Sequence, residues 1–253
     1  MHSVSVVRRE NRKTSKISYK RKQDRTRERK VRKTMAGREE VSGVFVEHVY
    51  KSFGKDAVLK DVNFLIRPGE IFGVVGNNGS GKTVLMKCIC GFLKADKGRI
   101  LVNGQQVGKD CDFPDSLGVI IETPGFIPDI SGYQNLKILA DLKGRIGKQE
   151  IQDTIRRVGL DPKNRKPVAK YSLGMRQRLG IAQAIMENPQ VLILDEPFNG
   201  LDRNGATQMR ELLKELKQQG KSMLLASHNA QDIRELCDRV HDMEDIWKME
   251  ELG

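Results

Sequence analysis

The stretch VVGNNGSGKTVLMK, from Val74 to Lys87, restricts the possible fold more than any other part of the chain. It fits the pattern G-x-x-x-x-G-K-[ST], with Gly76, Gly81, Lys82 and Thr83 at the fixed positions. An apolar run precedes this stretch and an amphipathic run follows it, which predicts a strand, a loop and a helix in that order. Such a loop surrounds phosphate groups; the alternative is a glycine turn that only joins a strand to a helix.

The predicted ligand of this loop is a nucleoside triphosphate. A buried strand is expected at Ile71–Val75 and a helix from about Lys82 to Phe92. Lys82 is placed for the β- and γ-phosphates, and the Thr83 hydroxyl for Mg²⁺. The predicted nucleotide contacts in the loop are Gly76, Asn77, Asn78, Gly79, Ser80, Gly81, Lys82 and Thr83.

Two acids follow a second buried strand in VLILDEP, Val191 to Pro197. Ligands bind at the carboxyl ends of the strands in open α/β sheets, so Asp195 is predicted at the magnesium site. The adjacent Glu196 is the candidate that orients or deprotonates the attacking water. A strand that ends in solvated acids is the alternative.

The net charge of +12 comes from residues 1–38 of the basic N-terminal arm, which is predicted to span residues 1–40. Residues 1–38 contain 15 basic and 3 acidic residues, and the rest of the chain contains 30 of each. The arm lacks apolar periodicity and is predicted to be disordered. Three interpretations stay open: a solvated arm, a segment that binds RNA or anionic lipid, or a stretch upstream of a true start at Met35.

The remaining sequence predicts a mainly parallel α/β fold, since strands at Val191–Leu194 and Ser222–Ser227 each precede a helical run. Helical periodicity dominates from Gly132 to Glu187. The chain shows neither a bilayer-spanning apolar segment nor a secretory signal, so a cytoplasmic location is expected. Reduced structural thiols are expected at Cys88, Cys90, Cys111 and Cys237.

The segment YSLGMRQRLGIAQAI, Tyr171 to Ile185, begins an amphipathic helix with a serine that would serve as its N-cap. It lies about 20 residues before the strand that ends in Asp195, and in this order the motifs resemble the ATP-binding cassette (ABC) family. The residues SLGM, Ser172 to Met175, stand where that family usually has S-G-G-Q. The resemblance covers about Val44 to Val240.

The resemblance implies that two cassettes face head to tail, and that Ser172 and Gly174 of one close on the γ-phosphate held by the other. It further implies that Gly200–Asp202 form the loop after the acids, and that His228 contacts the γ-phosphate. A satisfied polar residue is the alternative for His228. Phe53 stands at the family's adenine-stacking position, with strand packing as its alternative.

Glu122 departs from the wider family, in which a glutamine senses the γ-phosphate and magnesium. A carboxylate is a harder oxygen ligand, so Glu122 is predicted near the nucleotide and the Mg²⁺; a solvent-facing hinge substitution is the alternative. With ETPGF after Ile121 and YSLGMRQRL from Tyr171, the chain is similar to ATPase subunits of bacitracin and lantibiotic exporters.

The expected fold is a RecA-like α/β P-loop core at residues 41–253, with an antiparallel β-subdomain and a helical subdomain inserted at about residues 123–188. The expected function is an ATPase, with ATP and Mg²⁺ as cofactors, that powers transport. A binding-only regulatory cassette is disfavoured because Lys82, Asp195, Glu196 and His228 are all present.

The expected partners are a second copy of the subunit and a separate integral membrane permease, which would hold the chain on the inner face of the membrane. Phe126 and Ile127 are candidates for the permease contact, with subdomain packing as the alternative. No specific nucleic acid is expected. The rival function is a soluble cassette that acts on the ribosome or nucleic acid through the basic arm.

Overall fold

The computed structural model describes residues 42–122 and 125–246, and the predicted basic arm lies outside this part. An antiparallel sheet comprises β1 Val44–Phe53, β2 Asp56–Ile66, β4 Lys97–Val102 and β5 Gln105–Gln106. The strands are arranged in the order β2-β1-β4-β5. β1 and β2 form a hairpin whose last pair is Phe53 opposite Asp56, so Phe53 lies at the tip of the sheet.

A second sheet comprises β3 Ile71–Val75, β6 Leu117–Ile120, β7 Val191–Asp195, β8 Ser222–Ala226 and β9 Arg239–Asp242. Its order is β6-β7-β8-β3-β9, and all pairings are parallel. The carboxyl ends of the strands therefore meet at one edge, where the loops after β3, β6, β7 and β8 begin.

The α-helices are α1 Lys82–Ile89, α2 Gly132–Lys143, α3 Lys148–Arg157, α4 Leu173–Ile185, α5 Arg203–Gln218, α6 Ala230–Leu236 and α7 Met243–Ile246. α1 ends at Ile89 and not at the expected Phe92, because Gly91 adopts a left-handed φ of 82° that stops the helix. Three helices, α2 to α4, lie between β6 and β7, where the sequence shows helical periodicity.

The parallel sheet separates two hydrophobic cores. On β7, Leu192 and Leu194 pack into one core with the helices between β6 and β7, while Val191 and Ile193 pack into the other with α1 and the antiparallel sheet. Successive side chains of a strand point to opposite faces, so a strand covered on both faces must be apolar throughout. This confirms the expected α/β architecture and fixes the sheet edge that carries the loops.

Burial suppresses the reactivity of Cys88 and Cys90. It raises the pKa of the Cys88 thiol to about 11 and the pKa of the Cys90 thiol to about 12. The thiolate is the reactive form, so both side chains stay protonated and inert at neutral pH, as a structural role requires. No α-helix in the described part of the chain has the length and apolar character needed to span a bilayer.

Candidate functional site

A cavity of about 580 Å³ opens at the carboxyl edge of the parallel sheet. It brings together many of the residues singled out in the sequence: Phe53, Asn78, Gly79, Ser80, Gly81, Lys82, Thr83, Glu122, Asp195 and Glu196. Leu173 also lines it, whereas its neighbours Ser172 and Gly174 do not, and neither do Gly76, Asn77 and His228. The predicted phosphate loop and the predicted acids therefore share one cavity.

The loop between β3 and α1 has a backbone that suits anion binding. Gly76, Gly79 and Gly81 have φ values of 142°, 85° and 98°, which only glycine adopts without strain. The N-cap of α1 is Gly81, and within the described residues no side-chain hydrogen bond caps the start of this helix. The first N–H groups of this helix are thus available to a ligand, and the positive end of the helix dipole lies beside them.

The Lys82 ammonium lies inside this loop. Its Nζ donates hydrogen bonds to the carbonyl oxygens of Gly76 at 2.7 Å and Asn77 at 3.0 Å. The Asn77 side chain in turn donates to Glu244 Oε1 at 2.7 Å. The ammonium is therefore held within the loop that is predicted to surround phosphate, by carbonyl acceptors that a phosphate oxygen can replace.

Thr83 and Asp195 form the part of the site that fits magnesium. The Thr83 hydroxyl donates to Asp195 Oδ2 at 2.7 Å, and Asp195 is 9% exposed. Mg²⁺ prefers hard oxygen ligands and is usually held by one or two carboxylates together with phosphate oxygens and water. A hydroxyl and a carboxylate side by side next to a phosphate loop match that preference.

The carboxylate of Glu196 is held by His228, the second residue after β8. The backbone N–H of His228 donates to Glu196 Oε1 at 2.9 Å, and His228 Nδ1 lies 2.8 Å from Oε2. Glu196 has a left-handed φ of 48°. The Gln177 side chain donates to its carbonyl oxygen at 3.3 Å and to that of Pro197 at 2.9 Å. Backbone and side chain of Glu196 are thus both anchored at the cavity wall.

A buried ion pair contacts Ser227, the residue before His228, and the sequence interpretation missed this pair. Arg210 and Asp232 have side chains only 8% and 2% exposed, with Nη2 and Oδ1 2.7 Å apart. Asp232 Oδ2 also accepts a hydrogen bond from the Ser227 hydroxyl at 2.9 Å. This network joins α5 and α6 to the end of β8. No motif marks it, because Arg210 and Asp232 meet only in the folded chain.

Ser172 and Gly174 hold the start of α4. Ser172 Oγ accepts a hydrogen bond from the Met175 N–H at 3.2 Å, which confirms the predicted N-cap. A Cβ added at Gly174 would lie 2.9 Å from the carbonyl oxygen of Gly200, so a larger residue would force the two segments apart. Leu173 between them is 56% exposed.

Glu122 lies two residues beyond β6 with a left-handed φ of 60°. Its Oε1 accepts a hydrogen bond from Lys87 Nζ at 2.6 Å, which makes an ion pair within the cavity region. The Glu122 side chain is thus 63% exposed, lines the same cavity as the phosphate loop, and has its carboxylate on a lysine of α1.

Phe53, the candidate for adenine stacking, and Phe126 and Ile127, the candidates for the permease contact, differ in their surroundings. Phe53 is 48% exposed, with the Lys51 ammonium 5.5 Å from its ring centroid, so strand packing does not account for it. Phe126 packs against the core that contains α2 to α4. Ile127 is 48% exposed. Packing thus explains Phe126, while Ile127 stays available for a partner.

The comparisons with known proteins agree with this geometry. The ABC transporter family model matches residues 59–199. The chain is 40% identical over 198 residues to the ABC transporter ATP-binding protein YybJ of Bacillus subtilis, which covers 78% of this chain and 91% of YybJ. It is 42% identical to YdbJ of the same organism, over 77% of this chain and 64% of YdbJ. The aligned part is thus less than two thirds of YdbJ.

Relatives with named substrates are also found. The bacitracin transport ATP-binding protein BcrA of Enterococcus faecalis is 38% identical, over 82% of this chain and 68% of BcrA. The lantibiotic transport ATP-binding protein SrtF of Streptococcus pyogenes is 35% identical, over 77% of this chain and 84% of SrtF.

Solved structures confirm the fold. An ATP-binding subunit of an ABC transporter superposes with a TM-score of 0.72 at 27% identity, over 79% of this chain and 85% of that one. The dimeric post-hydrolysis state of the ATP-binding cassette MJ0796, bound to ADP and Pi, superposes with a TM-score of 0.71 at 22% identity, over 79% of this chain and 93% of that one. Motifs, fold and relatives agree, and the chain belongs to the ABC transporter family, as one of its ATP-hydrolysing ATP-binding subunits.

Proposed function

We propose that the chain binds Mg²⁺ and ATP at the sheet edge and uses hydrolysis to power a separate membrane permease that exports a peptide antibiotic or a similar amphiphile. The ATPase part of this proposal rests on one observation: a single cavity is lined by Lys82, Thr83, Asp195 and Glu196. The names of BcrA and SrtF, bacitracin and lantibiotic transport proteins, support the substrate class.

Nucleotide binding follows from the loop geometry. The β- and γ-phosphates replace the carbonyl oxygens of Gly76 and Asn77 as acceptors for the Lys82 ammonium, while the free N–H groups at the start of α1 donate to phosphate oxygens. Phe53, exposed at the tip of the antiparallel sheet, offers a ring face on which the adenine stacks.

Thr83 and Asp195 would hold the magnesium ion, which supplies charge neutralisation of the phosphates when bound. Glu196 accepts the proton of the attacking water as general base. His228 keeps the carboxylate in place through its N–H and Nδ1, and its exposed ring is the proposed contact for the γ-phosphate.

The site needs a second copy for completion. Ser172 and Gly174 do not line the cavity of their own chain. They lie at the start of α4, whose N-terminal dipole end suits an anion. In a head-to-tail dimer, each α4 would close on the phosphate held by its partner, and hydrolysis would reopen the pair. The permease contact would include exposed Ile127 and would hold the chain on the cytoplasmic face of the membrane.

Reconstitution tests this function. Any polytopic membrane protein encoded beside the gene of this chain would be co-expressed with it. The pair would be placed in proteoliposomes and assayed for phosphate release with bacitracin, with a lantibiotic and with neither. We expect stimulation by at least one of the two peptides, and loss of stimulation with Ile127→Asp. Equal ATPase rates with and without the membrane protein would reject the transport function and leave the ATPase intact.

The basic arm should be dispensable for hydrolysis, because the rest of the chain carries equal numbers of acidic and basic residues and contains the whole predicted site. Deletion of residues 1–34 is expected to leave phosphate release within about twofold of the full chain, a change of about 0.4 kcal/mol in the barrier. A larger loss would contradict this. RNA binding abolished by the deletion would favour the rival ribosome or nucleic-acid function.

A further inference from the structure

Lys87 and Glu122 are paired at the point where the site differs from its wider family. Lys87 Nζ donates to Glu122 Oε1 at 2.6 Å. Lys87 follows Thr83 by four residues on α1, so the two side chains lie on the same face of the helix. Thr83 donates in turn to Asp195. The ion pair therefore lies about one helical turn from the predicted metal ligands.

Glu122 has a backbone conformation that glutamate seldom adopts. Its φ of 60° lies in the left-handed region, which is uncommon for a residue other than glycine, asparagine or aspartate. Such conformations persist where the surrounding structure requires them, and they concentrate at functional sites. The carboxylate of Glu122 is thus presented to α1 and to the cavity that its residue lines.

The negative charges that line the cavity suggest what the positive charge of Lys87 does. Three carboxylates, those of Glu122, Asp195 and Glu196, line a space that has to accept a triphosphate. A carboxylate without a partner repels phosphate oxygens, and a lysine at hydrogen-bond distance removes much of that repulsion. A glutamine at position 122 would need no such partner, because an amide carries no charge.

We propose that Lys87 is the positioning residue for Glu122: it holds the Glu122 carboxylate on α1 until Mg²⁺ bound with the nucleotide competes for it. The ion pair then makes the protein less dependent on magnesium for ATP binding. Without Mg²⁺, Lys87 shields the phosphates from Glu122; with Mg²⁺, the pair must open. This proposal rests on the proposed nucleotide site. It adds a switch in which the Glu122 carboxylate exchanges Lys87 for Mg²⁺ as its partner.

The test is an equilibrium measurement that needs no hydrolysis. Dissociation constants of a fluorescent ATP analogue are measured with excess Mg²⁺ and with EDTA, and their ratio gives the magnesium preference. Lys87→Met should raise this preference by about two- to fivefold, the range expected for loss of an exposed ion pair. In a Glu122→Gln background the same substitution should leave the preference unchanged. Lys87→Arg should restore the wild-type value, and Lys94→Met controls for the loss of one positive charge.

Each outcome decides between the alternatives. An unchanged preference in Lys87→Met would overturn the proposal, and so would an equal change with and without Glu122, since Lys87 would then act on the phosphates directly. If Lys87→Met binds the analogue but its magnesium preference is that of the wild type, the role of Lys87 is rejected while the nucleotide site stands. No binding by the wild-type chain under either condition would reject the nucleotide site itself.

Discussion

Glu196→Gln is expected to lower the rate of phosphate release by about 10²- to 10⁴-fold, the range that a positioned general base contributes. The amide has nearly the shape of the carboxylate and can still accept from the His228 N–H, so the anchored geometry survives while the basic oxygen is lost. Affinity for ATP should therefore be retained. Rapid-quench phosphate release at saturating ATP and Mg²⁺, with equilibrium binding measured in parallel, checks both expectations.

The control for this prediction is Glu211→Gln, the same chemical change on α5, where the carboxylate contacts Lys214 at the surface. It should leave the rate unchanged. Turnover of Glu196→Gln comparable to that of wild type would remove Glu196 from the reaction. A parallel loss of ATP binding would assign it to affinity and not to the chemical step.

Lys82→Met is expected to weaken ATP binding by about ten- to a hundredfold, because hydrogen bonds to charged groups contribute about 1.5–3 kcal/mol. Methionine keeps the length and much of the volume of lysine but cannot donate to phosphate oxygens. Hydrolysis should fall along with affinity. Titration of a fluorescent ATP analogue gives the dissociation constant. Lys94→Met, which removes the same single positive charge elsewhere in the chain, serves as the control.

A Lys82→Met variant that binds ATP as tightly as wild type would contradict the assignment of the phosphate loop. Its thermal unfolding should also be followed, since Lys82 donates to two loop carbonyl oxygens in the structure. A fully folded variant with lost affinity is the predicted outcome.

The parts of the site that depend on local sequence could be predicted. Gly76, Gly81 and Lys82 follow an apolar strand directly, so their pattern alone places the loop. The same is true of Asp195 at the end of β7 and of Ser172 as the N-cap of α4. In each case, the residues that decide the structure lie within a few positions of one another.

Contacts between distant segments could not be predicted. Lys87 and Glu122 are 35 positions apart, and the pair forms because α1 passes beside the end of β6. The buried pair of Arg210 and Asp232 depends in the same way on the packing of two helices. Strand β9 was missed as well, since RVHD at Arg239–Asp242 lacks the apolar run that marks the central strands.

The head-to-tail completion of the site is the central claim, and a mixing experiment tests it most directly. Lys82→Met removes the phosphate loop's ammonium, and Ser172→Asp keeps an N-cap for α4 but places a negative charge where the γ-phosphate would lie. Each variant alone should be nearly inactive. If the proposed composite site forms, a mixed dimer has one intact site, made by the loop of one chain and the α4 start of the other.

Random exchange between equal amounts of the two variants should therefore restore phosphate release to about one quarter of the wild-type rate, since half of the dimers are mixed and each holds one working site of two. Gel filtration with ATP should confirm that the variants associate. Recovery to this level is the predicted result. An associated mixture that stays as inactive as its two components would contradict the composite site.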